Sequence, residues 1–293
     1  METTWGKSPE GRTVRYKIVV DSCCDLNEGE KRDPHIERVP LILQVGRHSF
    51  IDDDTFNQKE FLRTVAESPE CAKTACPSPE AYLKTCEGDC DMVFIVTLSR
   101  HLSGSYNSAV LAKALYEEEH PGEGKRIEVV SSDSAACGES VIALRLREFA
   151  EAGLGFEEIA EKIRKFRDEM VTYFVLENLD TLKKNGRLTG LAAILATTMN
   201  IKPVMAGDHG VIVKVDQTRG IQKALRRMAD RVVENCRNPE EKTLGITHVN
   251  CPERAAFVRD LLLSKAHFRD VYLVEAAGVS TTYANDGGIV VAC

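Results

Sequence analysis

The sequence predicts an α/β protein of two domains, the first built on a parallel sheet and the second an α+β domain with a largely antiparallel sheet. A chain of 293 residues is too long for one small hydrophobic core and is long enough for two domains of ordinary size. A unit of apolar run, polar loop and helical pattern recurs in the first half, and the pattern changes after the helix near residue 165. The predicted domains are therefore residues 14–166 and 167–293.

Three short apolar runs predict the strands of the first domain: Tyr16 to Val20, Met92 to Leu98 and Arg126 to Val130. None of them alternates with polar residues, which is typical of strands buried on both faces of a parallel sheet. Each run leads into a loop rich in Ser and Asp, and the three loops read DSCCDLN, SRHLSGS and SSDSAACG.

Helical patterns follow these loops, with apolar residues three and four positions apart in YNSAVLAKALYEEE and ESVIALRLREFAEAG. Another helix is predicted over Gly155 to Lys165. Strand, loop and helix in repetition indicate a Rossmann-like parallel sheet, in which ligands bind beyond the carboxyl ends of the strands. We therefore expect all three Ser/Asp loops along one edge of the sheet.

The second half begins with antiparallel signals. The segment VTYFVLENL leads through the polar turn KKNGRLTG to IKPVM and VIVKV, which are joined by AGDHG and predict a β-hairpin. Strands are expected at Leu244 to Val249, at Val271 to Val274 and in the closing GGIVVA, and helices at Ile221 to Cys236 and Glu253 to Ala266.

Charge and hydropathy exclude several classes of partner. The net charge is -7 and the basic residues are scattered among acids, so there is no basic stripe for nucleic acid. The first residues lack the apolar core of a signal peptide, and no run approaches the ~18 apolar residues of a membrane span. A cytoplasmic protein without stable membrane insertion is expected.

The ten cysteines include no C-x-x-C pair. Cys71, Cys76, Cys86 and Cys90 offer four thiolates, but their spacing differs from the knuckles of structural zinc sites. We expect no metal, and reduced thiols that act as small apolar side chains.

The loop LSGSY carries the clearest binding chemistry. A Ser/Gly loop that opens a helix brings hydroxyls and free backbone N–H groups to one point, which suits a carboxylate or a phosphate. Ser103 and Ser105 flank Gly104, where a ligand could approach the backbone closely. Ser105 can equally be the N-cap of the helix.

Familiar catalytic signatures are missing. Asp21 and Asp25 are four residues apart rather than the two that aspartyl-phosphate enzymes need, and G-x-S-x-G, G-x-G-x-x-G and the phosphate-loop motif are absent from the sequence. His101 and His248 stand in no triad or metal spacing, so either is a structural residue or a base.

Taken together, the sequence resembles the DegV family from about Lys17 to the C-terminus. The motifs that match in order are VVDSCCDL, TACPSP at Thr74, LSGSYNSA at Leu102, LKKNGRLTG at Leu182, IKPVM at Ile201, RGIQKAL at Arg219 and HVN at His248. Each motif is weak alone, and the ordered set is specific.

The resemblance implies a fatty acid bound in the cleft between the two domains, with no other cofactor. It also implies a carrier that is no enzyme itself and that serves a separate fatty acid kinase, whose ATP-binding subunit phosphorylates the carboxylate. The family's carboxylate-binding positions correspond here to Thr74, Ser103 with Gly104, and Arg187, and the position of its C-terminal histidine corresponds to Tyr283.

Two motifs depart from the family pattern. Ala75 and Cys76 replace the usual Ser-Gln after the threonine, and Tyr283 begins YANDG where many members have His-x-Gly-Pro-Gly. A phenol donates a hydrogen bond but carries no charge near neutral pH, unlike an imidazole. A carrier also needs an apolar slot, and the candidates for its lining are the apolar stretch after Arg187, including Leu195, and Ile201, all of which can also be ordinary core.

Two alternatives remain at this stage. The protein could be an acyl- or phosphoryl-transfer enzyme with Ser103 as nucleophile and His101 or His248 as base. It could also be an interaction or regulatory protein whose loops only cap helices.

Overall fold

The computed structural model describes the backbone of residues 6–7, 13–188 and 200–293, and side chains from residue 15 onward. The strands are β1 (Gly6–Lys7), β2 (Thr13–Val14), β3 (Tyr16–Asp21), β4 (Ile36–Val39), β5 (Ile42–Val45), β6 (His48–Ile51), β7 (Lys73–Ala75), β8 (Met92–Thr97), β9 (Arg126–Ser131), β10 (Thr172–Val175), β11 (Ile201–Asp208), β12 (Val211–Arg219), β13 (Thr243–His248), β14 (Asp270–Glu275) and β15 (Ile289–Ala292). The helices are α1 (Glu28–Lys31), α2 (Gln58–Glu67), α3 (Pro79–Cys86), α4 (Ser105–Glu119), α5 (Cys137–Glu151), α6 (Phe156–Asp168), α7 (Asp180–Lys184), α8 (Ile221–Asn235), α9 (Pro252–Leu263) and α10 (Gly278–Ala284).

The first half contains the predicted parallel sheet, with strand order β4-β3-β8-β9. The central strands β3 and β8 are buried on both faces because α3 and α4 cover one side of the sheet and α5 and α6 the other. Val19 and Ile95 pack toward α3 and α4, whereas Val20 and Val96 pack toward α5. Burial on both faces explains why the apolar runs show no alternation.

The Ser/Asp loops meet at the carboxyl edge of this sheet, as predicted. The Leu98 N–H donates to Asp21 Oδ2 over 2.9 Å, and the Ser99 N–H donates to the Ser134 carbonyl over 2.9 Å. These two bonds join the first loop to the second and the second to the third.

One repeat differs from the prediction, because the helix after β3 is the single turn α1. Asn27 caps its first N–H groups through Oδ1, and the chain reaches Pro34 three residues after the helix ends. Proline disfavours helix at the residue before it and cannot donate its own backbone hydrogen bond. The repeated unit therefore has full-length helices only in its second and third copies.

A three-stranded antiparallel sheet of order β6-β5-β7 lies between β4 and β8 in sequence and was not predicted. Leu43 and Val45 point into a core with Phe61, and their neighbours in β5 are exposed. This sheet matters for function because β7 carries Thr74, paired with Leu43.

The second half forms a six-stranded sheet of order β12-β11-β10-β15-β13-β14. All pairs are antiparallel except β13 with β14, which confirms the predicted largely antiparallel sheet. The predicted hairpin is β11 and β12, and the two predicted helices correspond to α8 and α9. Met228 and Val258 from these helices pack in one core with Ile246 of the sheet.

The two halves pack tightly through α5. A methyl group added to Gly245 of β13 would lie 2.9 Å from Val141 Cγ1, so only glycine fits under this helix. The boundary at residue 166 stays a prediction; α6 runs to Asp168, and β10 begins at Thr172. None of the helices in the described ranges is long and apolar enough to cross a membrane.

Candidate functional site

A cavity with about 860 Å³ of empty space, partly open to solvent, lies between the parallel-sheet loops and the antiparallel sheet. The lining is mostly apolar, and it includes Leu41, Leu98, Phe174, Leu176, Leu182 and Ile212. The same cavity is also lined by four polar residues, called the polar cluster: Thr74, Ser103, Arg187 and Tyr283.

Thr74 and Tyr283 form the first part of the polar cluster. Their hydroxyl oxygens are 2.9 Å apart, although the residues are 209 positions apart in the chain. Thr74 is placed by the pairing of β7 with β5, and Tyr283 lies in the last turn of α10. The two hydroxyl hydrogens serve one mutual bond, so one hydrogen remains for a ligand.

Ser103 lies in a turn just before α4, where its N–H donates to the Ser99 carbonyl over 3.1 Å. Its Oγ accepts from the Ser105 N–H at 3.2 Å and is 3.1 Å from the Ser105 Oγ. Gly104 is the N-cap, so the N-cap interpretation of Ser105 is wrong: Ser105 is the first helical residue and is fully buried. Gly104 has no side chain that could cap α4, and the Oγ of Ser103 accepts the N–H of the first helical residue instead.

Gly104 allows the β7 segment to approach this turn. A methyl group at Gly104 would lie 3.0 Å from Cys76 Sγ, a distance that a real side chain could reach only if the neighbour moved. Glycine thus lets the Ser103 turn and the Thr74 strand line the same cavity.

Arg187 follows α7 and reaches the cluster from the second half of the chain. Gly186 has φ of +73°, which favours glycine and turns the chain back so that the Arg187 N–H bonds the Leu182 carbonyl. The guanidinium donates to the carbonyls of Leu102 and Asn185 and lies 5.6 Å from the centre of the Tyr283 ring. Two of its five donors are used in this way, and three remain for an anion.

The structure describes only one of the two residues predicted to line the acyl slot. Ile201 is the first residue of β11, paired with Arg219, and it is not among the described residues that line the cavity. Leu195 lies outside the described residues. The lining comes instead from the ends of β10 and β12, from α7 and α10, and from the parallel-sheet loops.

Sequence reasoning missed a second polar part of the cavity wall, formed by Asp133, Ser134 and Thr172. The hydroxyl oxygens of Ser134 and Thr172 are 2.7 Å apart and buried. Asp133 and Thr172 also line a neighbouring polar pocket with Arg167, so the cavity adjoins hydrated surface on this side. The Ser/Asp content of the third loop was the available signal.

Three buried carboxyl groups near the site were also missed. Burial raises the pKa of Asp21 to about 6 and that of Asp25 to about 7, although backbone N–H groups of Leu98 and Ala277 favour the charged forms. Burial likewise raises the pKa of Asp52, against the effect of two N–H groups at the start of α10. Asp25 and Asp52 therefore connect the first half of the chain to the helix that carries Tyr283.

The thiols of Cys71, Cys76, Cys86 and Cys90 do not form one group in the described part of the chain. Cys86 and Cys90 pack in the core under α3 and α4, Cys71 Sγ is 3.8 Å from Asn185 Nδ2, and Cys76 is exposed beside Gly104. The one group of possible metal ligands among the described residues is Asp21, Cys23 and Glu139. Both Glu139 oxygens lack a hydrogen bond of regular geometry, and burial raises its pKa far above the usual range.

Neither candidate base contacts Ser103 among the described residues. His101 has its backbone N–H bonded to Ser99 Oγ, and His248 lies in β13 with its Nδ1 buried and unpartnered. Burial lowers the pKa of His248 and favours its neutral form. The side-chain hydrogen bonds of Ser103 run to Ser105, and Ser103 shares the cavity lining with Arg187 rather than with either histidine, an arrangement suited to donating hydrogen bonds to an anion.

Comparison with known proteins decides the family, since the DegV family model matches residues 15–293. The chain belongs to the DegV family. A DegV domain-containing protein of Streptococcus gordonii is 34% identical over 279 residues, which cover 94% of this chain and 98% of that protein.

Solved DegV structures share the whole fold and confirm the two-domain α/β arrangement. A DegV family protein from Ruminococcus gnavus, refined with vaccenic acid, is 47% identical with a TM-score of 0.91, covering 95% of this chain and 99% of its own. The Streptococcus pneumoniae Fatty Acid Kinase B3 protein, loaded with linoleic acid, is 29% identical with a TM-score of 0.86 and the same coverage. Members of this family thus bind fatty acids as ligands.

Proposed function

We propose that the protein is a cytoplasmic carrier that buries a long-chain fatty acid between its two domains and presents the carboxylate to a separate fatty acid kinase. The observation that carries this proposal is a single cavity in which an apolar lining meets Thr74, Ser103, Arg187 and Tyr283. The vaccenic acid and linoleic acid in the two related structures support the choice of ligand.

The donors in the polar cluster match a carboxylate. Thr74 and Tyr283 offer one hydroxyl hydrogen between them, and Arg187 offers three unused N–H groups beside a positive charge. Ser103 adds a further hydroxyl, whose oxygen is fixed by the Ser105 N–H. A carboxylate has about four lone-pair positions, so these groups can satisfy it without water.

The apolar wall accounts for the affinity. Burying about a dozen methylenes at about 0.8 kcal/mol each contributes a gross stabilisation of roughly 10 kcal/mol. Part of this is lost to the entropy of association, and a preformed slot keeps the rest. Leu98, Phe174 and Leu176 already line the slot as residues of buried loops and strands, so little reordering is needed.

The role as a carrier leaves the chemistry to the kinase. In this proposal, Ser103 donates a hydrogen bond and attacks nothing, and the ATP-binding partner transfers the phosphoryl group to the carboxylate. The name of the Streptococcus pneumoniae relative, a Fatty Acid Kinase B3 protein, supports a partner of this kind.

Native mass spectrometry of the purified protein tests ligand binding. We expect a co-purifying acyl chain in one-to-one ratio, and its loss or weakening in Tyr283→Phe, which removes one hydroxyl. Tyr116→Phe is the matched control, because its hydroxyl bonds Glu123 away from the cavity. A protein that neither co-purifies with fatty acids nor takes them up from solution contradicts the proposal.

Incubation assays separate the carrier from an enzyme. Fatty acid with ATP should remain unmodified with this protein alone and should yield acyl phosphate once a fatty acid kinase is added. A product formed without the kinase and lost in Ser103→Ala would instead identify Ser103 as a nucleophile.

A further inference from the structure

The helix that carries Tyr283 is held at its N-terminus by a carboxylate from the first half of the chain. The Gly278 N–H donates to Asp52 Oδ1 over 2.7 Å, and the Val279 N–H donates to Asp52 Oδ2 over 2.8 Å. Asp52 is 1% exposed, so no water competes for these bonds. Both oxygens of the carboxylate are therefore used on the first two residues of α10.

Asp25 adds a second attachment at the preceding residue. The Ala277 N–H donates to Asp25 Oδ1 over 2.7 Å, and the Thr247 hydroxyl donates to Asp25 Oδ2 over 2.9 Å. The first N–H groups of a helix have no acceptor within the helix, and no side chain at Ala277, the N-cap position, accepts a hydrogen bond. The two aspartates supply the acceptors that the segment itself lacks.

Close packing fixes the position of the helix as well as its hydrogen bonds. A methyl group on Gly278 would lie 2.5 Å from Leu43 Cδ1 and 2.7 Å from Asp52 Oδ1. The start of α10 thus rests directly on the Asp52 carboxylate and on β5. Leu43 is also the residue paired with Thr74, so one strand supports both members of the hydroxyl pair.

A displacement at this end reaches the head-group site. Tyr283 lies five residues after Gly278, so fewer than two helical turns separate them. A helix this short moves as a unit, and a shift of about 1 Å breaks a hydrogen bond such as the 2.9 Å contact between Tyr283 and Thr74. Val279 and Ser280 line the cavity and would move with it.

We infer that Asp52 is a positioning residue for the carboxylate site: it holds α10 so that the Tyr283 hydroxyl meets Thr74, with Asp25 as a second support. The inference rests on the proposed function for its role in fatty acid binding. Asp52 lies in a loop after β6, in a part of the chain with no direct place in the polar cluster.

A double-mutant cycle on fatty acid affinity tests this inference. Asp52→Asn keeps the shape but offers one acceptor oxygen to two N–H groups, so we expect the dissociation constant to rise about tenfold. In the Tyr283→Phe background, Asp52→Asn should raise the dissociation constant less than about twofold, because the hydroxyl that Asp52 positions is gone. An equal factor in both backgrounds would make Asp52 merely structural and overturn the inference.

Asp53→Asn is the matched control: the Asp53 carboxylate accepts from the N–H and the hydroxyl of Thr55 in its own loop, so the substitution should leave affinity unchanged. If Asp52→Asn does not fold, Gln58→Ala replaces it in the cycle. Gln58 Nε2 donates to the Ala276 carbonyl and to Thr281 Oγ1, so its removal loosens the same helix. We expect Gln58→Ala to raise the dissociation constant about threefold. The criterion is again whether the effect disappears in Tyr283→Phe.

Hydrogen exchange separates this inference from the proposed function. In the ligand-free protein, Asp52→Asn should speed amide exchange in the peptide that covers residues 279–284, and unchanged exchange overturns the inference. A wild-type protein that binds no fatty acid, with faster exchange in Asp52→Asn, contradicts the proposed function and leaves the positioning of α10 by Asp52 intact.

Discussion

Arg187 offers the sharpest test of the head-group site, because its charge and its structural bonds can be separated. The guanidinium donates to the carbonyls of Leu102 and Asn185, and these bonds serve any ligand equally. Its three remaining donors and its charge favour a carboxylate over an alcohol, because hydrogen bonds to an ionised acceptor are stronger than those to a neutral hydroxyl. Arg187→Ala should therefore weaken binding of a fatty acid more than binding of the matching fatty alcohol.

The losses of affinity expected in Arg187→Ala follow from the hydrogen bonds that Arg187 makes with each ligand. Hydrogen bonds to a charged group are worth about 1.5–3 kcal/mol, which corresponds to a roughly 10- to 150-fold loss for the acid. Indirect loosening of the site through Leu102 is worth about one neutral hydrogen bond, or roughly 3- to 10-fold for either ligand. The acid should thus lose about tenfold more affinity than the alcohol.

Competition against a fluorescent fatty acid measures both dissociation constants in one format. Arg187→Lys should recover part of the acid affinity, because it keeps the charge but loses the planar fork. Arg259→Ala, an exposed arginine paired with Asp260, is the control and should change neither value. Equal losses for acid and alcohol in Arg187→Ala would show that Arg187 only supports Leu102, and would refute the assignment.

Three further predictions concern the slot, pH and the tyrosine. Ile212→Glu places a carboxylate in the apolar lining, so displacement assays should show acid and alcohol weakened alike, by more than about tenfold, while Leu263→Glu on exposed α9 leaves both unchanged. Burial raises the pKa of Asp21 from 3.8 to about 6, so the native state holds this proton more tightly than the unfolded chain does, and stability falls as pH rises through that window. The contribution is on the order of 3 kcal/mol, and chemical denaturation from pH 4 to 7 should show a shallower decline in Asp21→Asn than in wild type; an unchanged slope contradicts the assignment. Tyr283→His should bind fatty acid more tightly below about pH 6.5 than above it, because the imidazolium adds a charge that the phenol lacks, and a pH-independent dissociation constant would place residue 283 away from the carboxylate.

The parallel sheet could be predicted from sequence because its physical signals are local. Strands buried on both faces give short apolar runs such as Met92 to Leu98, and the loops that follow them must meet at one edge. In α4 the buried residues recur every three or four positions, as expected of a helix that covers a sheet: Ser105, Ala109, Ala112 and Tyr116. In the polar cluster, Ser103 could be chosen from the chemistry of its own loop, whereas Thr74, Arg187 and Tyr283 came from the resemblance to a family, since they belong to no motif with a mechanism of its own.

The missed features are those whose cause lies far away in the chain. The segment GVSTTYA has no capping side chain of its own and is rich in β-branched residues, so it does not read as a helix. It becomes α10 because Asp52, 226 residues earlier, accepts its first N–H group. In the same way, β5 is only four residues long and depends on its neighbours β6 and β7.

Which apolar residues line the slot could likewise not be predicted from the sequence. Ile201 belongs to an apolar stretch, but its position opposite Arg219 is set by the register of the β11–β12 hairpin. Ile212, eleven residues later on the partner strand, lines the cavity instead. Both residues lie on the same face of the hairpin, because Ile212 pairs with Gly207, which is six positions from Ile201 along β11. They differ in their position along the hairpin: the cavity lies at the turn end, and this cannot be seen in the sequence alone.

A crystal structure of the protein with a bound long-chain fatty acid would show the head-group site and the slot together. We expect the carboxylate within about 3 Å of Thr74 Oγ1, Tyr283 OH or Ser103 Oγ and beside Arg187, with the acyl chain running along Phe174 and Leu176. A carboxylate bound instead beside Ser134 and Thr172, or an acyl chain outside the cavity, would contradict this expectation.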